Sequence, residues 1–208
     1  MTIAPRATDL PTPEDAPRLP TKPDGAKNIY WWGIVMLVLI ELTLFTLMMA
    51  AYYFLKIRND TWPPTADAYP ELLLPTLNTG VLILSGVAMY IGDKGIKKGK
   101  QTTLKVAQGI ALALAVVFVV LKVYEYANKP YDWTTHTYGS MVFLMIFFHT
   151  MHVISVFLKG ILVFYMALIG TYTAEEHTAV EVNGVYWQFV VVIWLPLYFT
   201  IYLSPYLL

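Results

Sequence analysis

Cysteine is missing from all 208 residues. Its absence removes disulfides, iron–sulfur clusters, thiolate nucleophiles, covalently attached c-type haem and cysteine-bound copper. Charge is scarce as well, at 13% of residues, against roughly a quarter in soluble domains. The 14 basic and 14 acidic residues cancel, so no global field draws in nucleic acid as a partner. An apolar h-region is also missing from the first 28 residues, which hold six of the thirteen prolines. That composition predicts no secretory signal and a disordered, solvent-exposed arm over residues 1–28.

What the chain does have is apolar length. Hydrophobic residues make up 57% and mean hydropathy is +0.56, which reads as an integral membrane protein. A helix crossing the roughly 30 Å hydrocarbon core needs about 20 mainly apolar residues. Five runs qualify: Trp31 to Leu55, Leu72 to Ile91, Leu104 to Tyr126, Tyr138 to Tyr172 and Gly184 to Leu208. Barrel strands would alternate polar and apolar residues, whereas these runs are apolar all round. The expected fold is therefore an all-α membrane protein, with a five-helix transmembrane domain over residues 29–208. No inverted repeat or paired Gly/Pro-broken spans of the transporter kind are visible. Pro75 lies where a first helical turn tolerates it, while Pro196 is a kink point inside span five.

Lys and Arg set the expected orientation. Arg6, Arg18, Lys22 and Lys27 lie in the arm, and Lys94, Lys97, Lys98, Lys100 and Lys105 flank the loop after span two, with Lys159 near the loop after span four. Only Lys56, Arg58, Lys122 and Lys129 fall on the other side. A cytoplasmic N-terminus and an outside C-terminus follow. Tyr30, Trp31 and Trp32 at one end of span one, with Tyr52, Tyr53 and Trp62 at the other, suit the aromatic belts of the two interfaces.

The polar residues inside the spans narrow the function. Glu41 lies about ten residues into span one, where an ionised carboxylate is costly and must pair or take up a proton. It is either a hydrogen-bonded neutral group or a proton-transfer or gating residue, and both need a partner that the sequence does not name. His149 and His152, spaced i,i+3 in "FFHTMHV", share one helix face, so the pair cannot clasp a porphyrin from opposite sides. Metal binding would require Glu125 or Glu181 from neighbouring helices; interhelical hydrogen bonding is the plainer reading. Glu125, between Tyr124 and Tyr126, is an interfacial anchor or a proton group. Asn78 and Thr79, near Gly80, Ser85 and Gly86, fit close helix packing. Glu175, Glu176 and His177 before span five and His136 before span four are expected to face water.

Several ordered segments resemble subunit III of the haem–copper cytochrome c and quinol oxidases, in the five-span form without the first two helices of the seven-span version. They are Glu41 in "LIELTLF", "WPP" at Trp62, "LPTLNTGVLILSGV", Glu125 in "YEY", "YGS" at Gly139, "FHTMHV", and "EVNGVYWQFVVVIWLPLYFTIY" with Glu181, Trp187, Phe189 and Trp194. The chain departs from the family at Phe147 and Thr150 around the histidine pair. It departs again where the family's "WHFVD" reads Trp187-Gln188-Phe189-Val190-Val191, although Gln188 still donates and accepts.

The resemblance implies a non-catalytic accessory subunit in a bacterial plasma membrane, packed on subunits I and II of a terminal oxidase. It would hold no cofactor itself, with haem and copper in the catalytic partner, and no metal site. It would bind phospholipids, shape oxygen access and sustain proton uptake for a complex that reduces oxygen to water and pumps protons. Glu41 would be the buried carboxylate; Trp62, Asn78, Thr79 and Trp187 would serve the lipid cleft and its packing, with the first two spans as one wall. Glu125, His149, His152, Glu181 and Gln188 would form a polar network joining the other three. The rivals are a subunit III-like component of a quinol oxidase or nitric oxide reductase, and a stand-alone transporter or proton channel.

Overall fold

The computed structural model describes residues 29–207; the arm over 1–28 lies outside them. Five long helices follow in order: α1 Ile29–Arg58, α2 Leu73–Lys97, α3 Gln101–Ala127, α4 Thr137–Leu168 and α5 Thr178–Tyr198. A 3-10 turn, Ala66–Ala68, lies in the first loop, and a π-turn, Phe199–Leu203, leads from α5 into the short α6, Ser204–Leu207. All five long segments are apolar and long enough to span a bilayer, and no strand occurs among the described residues.

Several boundaries differ from those expected, and α2 runs six residues past Ile91 to Lys97. The fourth helix stops at Leu168 instead of Tyr172, because Gly170 turns to φ +80° and Thr171 N donates to Met166 O at 3.1 Å, a glycine C-cap. The second helix ends in the same way, with Gly99 at φ +72° and Lys100 N donating to Gly95 O. The fifth helix starts at Thr178 instead of Gly184, which brings Glu181 into its first turn. Near its end the chain stays helical through Pro196, and the π-turn follows within one turn of it. This widened turn sits where proline has removed a ladder donor.

Helices α2 to α5 form a four-helix bundle in which each packs on its two neighbours: α2 on α3, α3 on α4, α4 on α5, and α5 back on α2. The α2–α3 contact is the most extensive. It is tight because small residues line it: a Cβ on Gly95 would come 2.8 Å from the Thr103 side chain, and one on Gly92 would come 3.2 Å from Ala107 Cβ. The first helix lies outside this ring against α5 and α4. Spans one and two therefore do not pair, which corrects the grouping of the first two spans as one wall.

Only Ile34, Phe45 and Tyr52 are fully buried on α1, spaced eleven and seven residues apart, a single stripe on a helix. Glu41, seven residues after Ile34 and four before Phe45, lies on that stripe. Val38, Met48, Met49 and Tyr53 are partly buried against the core, and Trp32, Met36, Ile40, Leu47 and Phe54 are exposed apolar surface.

Alternating helix directions gather the loops at two ends. At one end Gln101 Nε2 donates to Tyr172 O and Lys105 Nζ to Leu168 O, each at 3.2 Å. At the other, Lys56 Nζ donates to Ser204 O at 3.1 Å and Tyr206 OH to Pro70 O at 2.8 Å, so the last turn ties α1 to the first loop. The 128–136 loop closes this end. His136, expected to face water, caps α4 by accepting from Gly139 N at 2.8 Å. Asp132 Oδ1 accepts from Thr134 N at 2.8 Å and from the hydroxyls of Thr134 and Thr135. Those bonds, the Thr134 hydroxyl foremost, hold the Asp132 carboxyl below its ordinary range.

Gly139 is sterically required at this turn, since a Cβ there would stand 2.7 Å from Asp132 O and 3.0 Å from His136 Nδ1. Gly139→Ala should cost about 1–3 kcal/mol, read as a lower melting temperature and faster proteolysis of the 128–136 loop; an unchanged profile would contradict the crowding. The Asp132 turn has its own pH signature. A depressed carboxylate contributes stability above its ordinary pKa of about 4 and loses it as pH falls through the lower folded value. The protection factors of amides 132–136, taken relative to intrinsic exchange at each pH, should therefore be steady at neutral pH and fall below pH about 4, an effect that Asp132→Asn abolishes.

Candidate functional site

The first polar cluster joins α1 to α4. Glu41 Oε2 lies 2.9 Å from His152 Nε2, and His152 Nδ1 lies 2.7 Å from Phe148 O. A carbonyl oxygen only accepts, so Nδ1 carries a proton and the ring is fixed by its own helix. A second proton is then held between Nε2 and the carboxylate. Whether it sits on nitrogen or oxygen, the pair has no net charge. That is how a carboxyl group tolerates mid-membrane depth. Phe45 covers the pair with ring centroids 5.1 Å from His152 and 5.3 Å from Phe148, and the side chains stay 17% exposed for Glu41 and 11% for His152. The proton is thus held at the edge of the bundle.

His149, three residues earlier, turns inward and is fully buried. Its Nε2 lies 3.0 Å from Val190 O on α5, so that nitrogen carries a proton, and its ring centroid lies 4.5 Å from that of Trp194. The two histidines therefore link α4 to different helices. Neither uses Glu125 or Glu181, and the single network expected from sequence is replaced by separate contacts. Among the described residues no three His, Asp or Glu side chains gather as a metal-holding group.

The second cluster surrounds Glu125 and went unread in the sequence. Lys122, one turn earlier on α3, is 1% exposed. Its ammonium lies 2.7 Å from Glu125 Oε2 and 2.9 Å from Tyr202 OH, and 4.6 Å from the centre of the Trp194 ring. Tyr202 OH donates in turn to Glu125 Oε1, which also faces Lys129 Nζ at 3.3 Å. Glu125 is itself only 8% exposed. It acts as a buried counter-ion between two lysines, where a water-facing anchor had been the alternative. The missed signal was "LKVYE", a Lys and a Glu three residues apart inside an apolar helix.

The third group stitches α2 to α5. Trp187 Nε1 donates to Ser85 Oγ at 3.1 Å, Trp194 Nε1 to Thr79 Oγ1 at 2.9 Å, and Gln188 Nε2 to Gly86 O at 2.7 Å. Asn78 turns the other way and donates to Phe118 O on α3 at 3.1 Å. Val191 packs on Gly86, where a Cβ would come 3.1 Å from Val191 Cγ2. Glu181 pairs with Lys97 at 2.6 Å in the exposed rim of the same seam. Trp62 lies apart from this seam, in the first loop, with its ring against Tyr52 and Tyr138 at 5.4 and 5.3 Å.

The family model described as cytochrome c oxidase subunit III matches residues 24–206. The chain belongs to that family. It is 33% identical over 172 residues to cytochrome c oxidase subunit 3 of Thermostichus vulcanus, spanning 82% of this chain and 85% of the relative. Against the protein of the same name from Synechocystis sp. it is 29% identical over 180 residues, covering 86% and 77%. A third relative of that name, from Gazella leptoceros, is 34% identical over 179 residues, covering 82% and 68%. Membership places this subunit in an oxidoreductase complex of a membrane, as a multi-pass protein with companion oxidase subunits.

Removing one member of the buried Lys122–Glu125 pair strands the other. Lys122→Met should destabilise the subunit by about 3 kcal/mol, and adding Glu125→Gln should restore part of that loss. Thermal unfolding of the solubilised single and double variants checks this; equal or greater damage in the double variant would show that the two groups do not compensate each other.

Proposed function

We propose that this chain is the non-catalytic subunit III of a respiratory cytochrome c oxidase, seated against subunits I and II in a bacterial plasma membrane. The electron chemistry, with haem and copper, belongs to the catalytic partner. Here the subunit contributes a lipid-binding scaffold that shapes oxygen access and maintains proton uptake while oxygen is reduced to water. The N-terminus faces the cytoplasm and the C-terminus the outside, as the lysine-rich loops favour.

The observation that carries this reading is the Glu41–His152 pair on the contact stripe of α1. It is a protonatable couple of zero net charge, fixed by Phe148 O, partly open at the bundle edge and bordered by the exposed apolar face of α1. A couple of this kind holds a proton without a charge in lipid, which suits a supporting role in proton supply. The unpaired apolar face of α1 suits phospholipid chains or the neighbouring subunit. Lys122 and Glu125 hold α3 to the π-turn after α5 through Tyr202 and act as structure.

Glu41→Gln keeps a hydrogen-bonding group but removes the exchangeable carboxyl proton. Purified complex carrying it should assemble and reduce oxygen at near the parent rate, while retaining less phospholipid or losing activity sooner during turnover. Complete loss of oxygen reduction in a correctly assembled variant would contradict an accessory role. So would isolation of the chain in mild detergent without haem-bearing partners. Turnover with cytochrome c, with quinol and with nitric oxide identifies the donor and the reaction.

A further inference from the structure

Gln108 of α3 and Asn183 of α5 are each 1% exposed. Among the described residues, none hydrogen-bonds Gln108 Nε2 or Oε1, or Asn183 Nδ2 or Oδ1. Each amide carries two N–H donors and a carbonyl with two lone pairs. Sealed groups of this sort cost about 1–3 kcal/mol apiece when unmet, so in native structures they are paired with protein or ordered water.

Apolar layers stand on either side of them. The core divides into a large apolar cluster and a small one, the latter built from Ile96, Leu104, Ala167 and Val180. These four come one from each bundle helix and close the end of the ring beneath the amides. Leu112 and Trp187, one turn after Gln108 and Asn183, converge on Gly160 of α4. A Cβ there would stand 3.0 Å from Leu112 Cδ2, 3.1 Å from Trp187 Cζ3 and 3.9 Å from Asn183 Nδ2. Helices α3 and α5 start at the same end of the bundle, and Gln108 falls between Leu104 and Leu112 as Asn183 falls between Val180 and Trp187, so the two amides fall at about the same level. They lie between two apolar layers.

We propose that this level of the bundle is a buried hydration site, in which ordered water bridges the Gln108 amide to the Asn183 amide. The ligand is small, because the layers above and below are packed. It is neutral, because two uncharged amides supply no compensation for a buried ion. It both donates and accepts, because the amides present both kinds of atom. Water, which makes about three bonds at such sites, fits these terms. The bridge would set the level of α3 against α5, helices whose main contacts are with α2 and α4, as a buried polar layer sets register in other helical assemblies.

The direct test is a cryo-EM map of the purified complex at a resolution that shows ordered water. Density should stand about 3 Å from both amides. A direct Gln108–Asn183 hydrogen bond, a metal ion, or no density between the side chains would overturn the proposal. A double-mutant cycle supplies an independent readout on the solubilised complex. Gln108→Leu and Asn183→Leu should each lower the melting temperature, and the double variant should fall close to the worse single, since the shared water is lost once. Additive shifts would overturn it. Neither measurement depends on whether the donor is cytochrome c or quinol, nor on the role of Glu41.

Discussion

Lipid offers no hydrogen bonds, and the arrangement of this bundle follows in large part from where its polar side chains find partners within it. Apolar surface gives little direction here, because lipid chains are as apolar as leucine. Direction comes from indole, hydroxyl and amide groups reaching specific backbone or side-chain atoms. The seam between α2 and α5 shows the pattern in consecutive turns: Thr79 with Trp194, Ser85 with Trp187, and Gly86 O with Gln188. Each bond of this class is worth only about 0.6 kcal/mol on average. Several in register nevertheless select one rotation of each helix over the others.

Charge obeys the same constraint more severely. Two pairs of ionisable side chains lie deep in the structure or at its edge, and in each the partner leaves the group neutral or compensated. Glu41 shares a proton with His152, and Lys122 rests on Glu125 with Tyr202 bridging. The two solutions differ in consequence. The first holds a proton between two groups at a partly exposed edge. The second fixes a charge pair in a closed interior and joins α3 to the π-turn beyond α5, where Tyr202 lies.

The departures from the family pattern become intelligible in these terms. Where the family has a histidine, Gln188 still donates to the backbone of α2; where it has an aspartate, Val191 packs on Gly86 and needs no partner.

By itself, the sequence determined the class of fold, since five apolar runs of bilayer length allow little besides a helical bundle, and its ordered motifs carried the family resemblance. It also marked Glu41 as a group needing a partner. Only the tertiary structure decided that the partner is His152, that His149 faces the other way onto Val190, and that spans one and two are not neighbours. It decided equally that Lys122, which counts in the sequence as one more loop-flanking cation, is buried. The physical reason is that apolar runs report length and hydropathy, which are local. A hydrogen bond between residues 111 positions apart depends on the rotation and depth of two helices, which no local pattern encodes when every face of the helix is apolar.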